Sequence, residues 1–223
     1  AAAPPVVPAP SVPPPSQPAV PPTPDEFVRA HDGGACLFLA VRAASGRRIE
    51  VEAFGASRPA VEAFHGAFSR AYGFEPTVLF RPLAEAQCPA VAFLKAAAET
   101  RDAAMRFELA SFSVAPGGRI DGTVLGSGTR SVSVLVVSDD GMVRQVPMRG
   151  QAGGGGLVSI TAEPGPPGQR RPELALAIIA LRRPAALDFR GQVAASVLFP
   201  ALQRDIGAAT QPVAVLRQYF RVD

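Results

Sequence analysis

The chain has no tryptophan, a single lysine (Lys95), two histidines and two cysteines, and each shortage narrows what it can do. Without tryptophan, and with arginines scattered rather than interleaved with aromatics, it offers no stacking platform for a nucleic-acid strand. A net charge of +3 and a pI near 9.4 then describe an arginine-rich solvated surface, with no nucleic-acid partner expected. The doublets Arg47-Arg48 and Arg170-Arg171 fall where loops are expected. No apolar run approaches the roughly 20 residues of a membrane-spanning helix. Charge is missing altogether before Asp25, a stretch that holds eleven of the 24 prolines. Proline fixes φ and lacks a donor, so residues 1–24 are expected to form an extended tether. The chain opens on Ala1 with no basic-then-apolar leader, which carries the expectation of a removed signal or anchor, or of a piece of something longer.

Catalysis is poorly served by what remains. Of the two groups that titrate near neutral pH, His65 falls off the apolar stripe of a predicted helix, and His31 sits in the turn His31-Asp32-Gly33-Gly34 with no nucleophile nearby in sequence. Cys36 leads the apolar run Cys36-Leu37-Phe38-Leu39, which raises a thiol pKa. Cys88 opens a predicted helix, where the dipole lowers it, so a thiol hydrolase pairing Cys88 with His65 or His31 is the enzymatic alternative. The run Gly153 to Gly156 lacks the lysine and hydroxyl of a phosphate loop and precedes a strand, so it reads as a loop. Asp139, Asp140 and Asp121 could meet around calcium, but Asp140-Gly141 is already explained as a hairpin turn, and neither metal nor cofactor is expected.

What is there is an α+β pattern in two parts. Over 25–104, a short amphipathic opening at Asp25 to Ala30 precedes a buried strand at Ala35 to Ala43 and an alternating one at Arg48 to Phe54. A helix follows with Ser57 as N-cap, Pro59 in its first turn, a stripe of Val61, Phe64, Phe68 and Tyr72, and Gly73 as its stop. A parallel strand at Thr77 to Arg81 and a helix from Cys88-Pro89 complete a small ββαβα unit. Glu99 to Ala104 reads as the joint.

Over 105–223, strands are expected at Glu108 to Val114, Arg119 to Leu125, Ser131 to Ser138, Met142 to Met148, Leu157 to Ala162, Glu173 to Leu181 and Val213 to Val222. Pro147 is confined to an edge or a strand end, and Val193 to Ile206 has helical spacing. Short strands with regular turns predict a β-sandwich.

Two cysteines would suit buried thiols in a reducing compartment, but a proline-rich tether leading into a small unit favours the other reading. A Cys36–Cys88 disulfide would staple the ββαβα unit and place the chain in an oxidising, periplasmic or otherwise extracytoplasmic compartment.

The stretch Phe27-Val28-Arg29-Ala30-His31-Asp32-Gly33-Gly34-Ala35-Cys36-Leu37-Phe38, with Val51-Glu52-Ala53-Phe54-Gly55 and Gln87-Cys88-Pro89-Ala90-Val91-Ala92-Phe93, resembles the C-terminal regions of alphaproteobacterial serine/threonine protein kinases. The second half, with its Ser131 to Val143 hairpin and its ending Gln218-Tyr219-Phe220-Arg221-Val222, resembles a β-sandwich module that accompanies bacterial kinase and caspase-like domains. Kinase loops are absent from this chain. The resemblance implies a non-catalytic extracytoplasmic sensing or binding region, tethered to a membrane protein rather than inserted itself. A protein, peptide or cell-wall-derived ligand would bind at an edge or in an interdomain cleft. A structural assembly module, self-associating through open sheet edges, is the third expectation.

Overall fold

The computed structural model describes residues 22–97, 104–151, 155–165, 168–208 and 213–223. The tether expected over residues 1–24 therefore lies almost wholly outside the described residues, as does most of the joint at 99–104.

Helix α1 (Pro24–Ala30) starts on a capping box: the Glu26 N–H donates to Thr23 Oγ1, and the Thr23 N–H donates to the Glu26 carboxylate at 2.7 Å. Strands β1 (Leu37–Ser45) and β2 (Arg48–Gly55) form an antiparallel hairpin, turning at Gly46 with φ 56°. A register shift between Val41 and Ala43 leaves Arg42 bulged. Helix α2 (Arg58–Tyr72) carries the chain to β3 (Thr77–Pro82), which pairs parallel to β2. Gly73 ends α2 at φ 69°, its N–H donating to Ser69 O, but Ser57 at the other end makes no side-chain cap. The helix stripe Val61, Phe64 and Phe68 packs with Val28 on Leu37, Leu39, Val51 and Ala53. The opposite face of this small sheet presents Phe38, Ala40 and Phe54.

A short 3-10 turn, Glu85–Gln87, leads into α3 (Cys88–Ala97), and Cys88 is disulfide-bonded to Cys36 with their Cα atoms 4.9 Å apart. The bridge joins the residue before β1 to the first residue of α3, so the hairpin and the helix that covers its far face are covalently linked.

The second half is a β-sandwich. One sheet runs β4-β6-β10-β9, from β4 (Arg106–Leu109), β6 (Arg119–Leu125), β9 (Met148–Gln151) and β10 (Gly155–Thr161). The other contains β5 (Ser113–Val114), β7 (Ser131–Val137), β8 (Met142–Val146), β11 (Arg171–Ala180), β12 (Gln192–Ala194) and β13 (Ala214–Val222), in the order β12-β8-β7-β11-β13-β5. Between the sheets, Phe107, Ile120, Val124, Val158 and Ile160 meet Val134, Val136, Ala177, Ile179 and Phe220.

The six-stranded sheet is buried on its other face too. Leu135, Val137, Leu174, Leu176 and Ile178 pack under α4 (Ala195–Ala208) and α3, with Phe93 and Phe199 ring centres 5.2 Å apart. Phe38 and Phe54 from the small sheet belong to the same cluster, so the ββαβα unit and the sandwich share one apolar core.

Three expectations need correction. The single strand expected over Glu108 to Val114 is two, β4 and β5, one in each sheet, because the chain turns at Ser111, whose Oγ donates to Ser113 O at 2.8 Å. The strand expected over Met142 to Met148 breaks at Pro147: β8 pairs with β7, and β9 crosses to pair with β10. Proline cannot donate to a ladder, and here it marks a corner between sheets. Of the glycine run, Gly155 and Gly156 are strand, opening β10 opposite Val124; Gly156 carries no side chain because Met148 occupies that space. Residues 153–154 lie outside the described set.

Candidate ligand cleft at the junction of the two units

A cleft of about 720 Å³ opens where the small sheet meets the sandwich. One wall comes from the first unit: Arg42 on the bulge of β1, Glu52 and Phe54 on β2, and Arg81 on β3. The other comes from β4, from Phe112 in the turn before β5, and from residues 215–219 of β13. Strand alternation sends Val215, Arg217 and Tyr219 toward the first unit, and Leu216 and Phe220 into the sandwich.

Two arginines of this cleft, Arg217 and Arg81, lie over aromatic rings. The Arg217 guanidinium lies 4.7 Å from the ring centre of Phe38 and 5.0 Å from that of Phe54. Arg81 lies 5.3 Å from Phe112 and 5.4 Å from Tyr219, while its Nε donates to Glu52 Oε1 at 2.8 Å. Both members of that ion pair are only 16% exposed, so water screens it less than a surface pair. Burial pushes the Tyr219 phenol up, with the nearby Arg221 and Arg81 charges opposing. Phe112 is 56% exposed at the rim, an uncommon place for a phenylalanine. Counting Arg42, Arg81, Arg106 and Arg217 against Glu52 and Glu108, the lining is net positive.

The residues singled out in the sequence lie elsewhere. Both sulfurs of Cys36 and Cys88 are consumed in the bridge, so Cys88 presents no thiolate in this form. His31 packs edge-on to Phe64 at 5.1 Å and beside Phe27 at 6.1 Å, and its partial burial pulls the imidazole pKa down. His65 sits on α2, its main-chain oxygen accepting from Ser69 Oγ at 2.9 Å.

Lys95 Nζ donates to Asp32 Oδ1 at 2.9 Å and to Gly34 O at 3.1 Å, so the sole lysine anchors the glycine turn beside the bridge. Asp140 Oδ1 accepts from Ser138 Oγ at 2.7 Å and from the Met142 N–H at 3.0 Å, while Asp121 accepts from Ser159 Oγ at 2.7 Å. Among the described residues no three His, Cys, Asp or Glu side chains are placed to hold a metal ion. One arginine of each doublet bonds a main-chain oxygen: Arg47 donates to Gly73 O at 3.0 Å and Arg171 to Glu163 O at 2.7 Å.

The sequence reading missed Arg42, Glu52, Arg81, Phe112, Arg217 and Tyr219. One signal for them was present: Arg217 and Tyr219 stand at i, i+2 spacing in the last expected strand, which places them on one face. No family model, curated protein or solved structure matches this chain.

Proposed function

We propose that this is a non-catalytic extracytoplasmic binding region of a membrane-anchored bacterial signalling protein, such as a serine/threonine kinase, and that its ligand enters the junction cleft. The cleft carries the reading: its walls come from two different units, so an occupant touching both biases how they sit against each other. A population shift of that kind, relayed through the proline-rich tether to a membrane partner, is the mechanism. The disulfide supports the compartment, because such bridges persist where glutathione and thioredoxin do not reduce them. Among the described residues no helix is long and apolar enough to cross a membrane, which fits attachment through a partner segment.

Two measurements test this. Trapping free thiols in protein drawn from its native compartment should label neither Cys36 nor Cys88; labelling of both would remove the compartment. A photocrosslinking phenylalanine at Phe112 should give an adduct, and one at Val197, 63% exposed on α4, should give none. Equal adducts from both positions, or none from either, would refute the cleft as a binding site.

A further inference from the structure

We infer that residues 7–11 of the proline-rich tether fold back and add as a strand to the outer edge of β1, in the groove between α1 and α3. This goes beyond the cleft reading, since it concerns a second surface on the first unit alone.

β1 ends its sheet, whose order is β1-β2-β3. The Leu83 N–H donates to Gly55 O at 2.9 Å, so Gly55 turns its main-chain groups toward β3. Opposite residues of an antiparallel pair either exchange both bonds or both turn away. Leu37 stands opposite Gly55, so its N–H and C=O point out of the sheet. Alternation adds Leu39 and Val41, up to the bulge at Arg42. Among the described residues nothing pairs with these three on that side. Leu37 and Leu39 are buried, a setting in which main-chain groups are ordinarily paired. A space of about 680 Å³ borders residues 37–41, with Asp25 and Arg29 of α1 and Lys95 of α3 as walls. Successive side chains take opposite faces, so five consecutive residues meet one space along the strand's edge.

Charge and sequence name the occupant. The wall charges are neutralised locally: Arg29 pairs with Asp25, and Lys95 with Asp32. A neutral groove suits an uncharged strand, and residues 1–24 carry no charge. A strand turns alternate residues to its neighbour, so three donors for β1 require three alternate residues that are not proline. Val7, Ala9 and Ser11 are the one such set in 1–21. Pro8 and Pro10 between them would face away, where no donor is required. Val7 and Ala9 each precede a proline, which biases them to extended backbone before any docking.

Reach is sufficient. The Tyr72 hydroxyl donates to Pro22 O at 2.7 Å and so fixes where the tether leaves the unit. From there residues 12–21 span up to about 35 Å, while α1, one wall of the groove, is about 10 Å long. An occupied edge draws residues 7–21 back to the unit and leaves 1–6 as the free tether, so the groove sets how far the tether extends.

The test uses the full chain with a nitroxide on Ser11→Cys, the two native cysteines being bonded to each other. Amide signals of residues 37–41 should broaden, and those of Asp121 and Ser159 on the four-stranded sheet should not. Ala9→Pro removes the central donor; it should abolish the broadening and speed amide exchange at Leu39 at least tenfold. Pro8→Ala, on the side facing away, should change neither. All three positions precede α1, so the folded units stay intact in every variant.

No broadening along β1, equal broadening on the four-stranded sheet, or unchanged signals and exchange in Ala9→Pro would overturn the inference. So would broadening of equal size when nitroxide-bearing chain is mixed with isotope-labelled chain lacking the nitroxide, which would assign the edge to the tether of a second copy. Each outcome is read on β1, so crosslinking from position 112 still decides the cleft separately.

Discussion

Gln87 Nε2 donates to Val137 O at 2.9 Å, a bond that crosses from the ββαβα unit into the six-stranded sheet. The same nitrogen reaches Pro172 O at 3.1 Å, and Gln87 Oε1 accepts from the Ala84 N–H at 2.9 Å, leaving a side chain that is 0% exposed with its main valences met. Gly141 fits the same seam: a Cβ there would stand 2.6 Å from Ala86 O, and its φ of 81° already favours glycine. A buried amide placed so specifically registers one unit against the other.

Gln87→Leu should therefore cost about 3 kcal/mol, because it strands the buried Val137 carbonyl and the part-buried Pro172 carbonyl as well as losing their bonds. Urea unfolding checks this through the midpoint. An unchanged midpoint would mean the seam does not depend on this side chain.

Gly141→Ala should cost at least ~2 kcal/mol, from left-handed strain together with the clash on Ala86 O. Gly46→Ala offers the comparison, since a Cβ at Gly46 meets nothing within 4 Å and only the strain is felt. The difference between the two variants isolates the close approach.

Reduction of the bridge, or the Cys36→Ser, Cys88→Ser pair, should lower stability by about 4 kcal/mol, the chain-entropy value for a loop closed across 52 residues. Thermal unfolding with and without reductant measures it. A shift confined to near-ultraviolet signals, with no change in midpoint, would show that the shared core alone holds the first unit.

Glu173 sets a pH dependence. It is 1% exposed on β11, and neither carboxylate oxygen has a hydrogen-bond partner among the described residues. Desolvation pushes its pKa up to about 8; the nearby Arg144 and Arg171 charges pull it down, and the Asp139 and Glu163 charges push it further up. The unfolded chain releases this proton near 4.5, while the folded one keeps it to about 8. The folded state thus binds more protons across that window, and stability falls as pH rises through it, by up to ~1.4 kcal/mol per pH unit, levelling off above. Glu173→Gln should flatten that decline and be the more stable protein at pH 8. A parent stability that stays level or rises between pH 5 and 8 would contradict the assignment.

Most of the fold was legible because its signals are local. The stripe of Val61, Phe64, Phe68 and Tyr72, the stop at Gly73 and the turn at Asp140-Gly141 each follow from spacing and backbone freedom. The seven apolar positions in a row at the end of β11 also announced a strand covered on both faces, and α4 and the second sheet cover it. What stayed hidden was tertiary. Nothing in the run from Glu108 to Val114 says that its ends belong to different sheets, and nothing in Phe38 or Phe54 says that they meet Arg217 from the far end of the chain. The cleft is made by those long-range meetings, so its chemistry could not be read from any one segment. Glu173 shows the same limit: it reads as the polar start of a strand, and only packing reveals a carboxyl kept from water.

The corner at Pro147 has a mechanical consequence. Because β8 runs into β9 through a single residue, the two layers of the sandwich are yoked by continuous main chain and cannot slip past each other without tearing a ladder. Displacement provoked by a bound molecule is then taken up at the seam, where the shared apolar core, the Gln87 amide and guanidinium groups over rings hold instead of strand pairing.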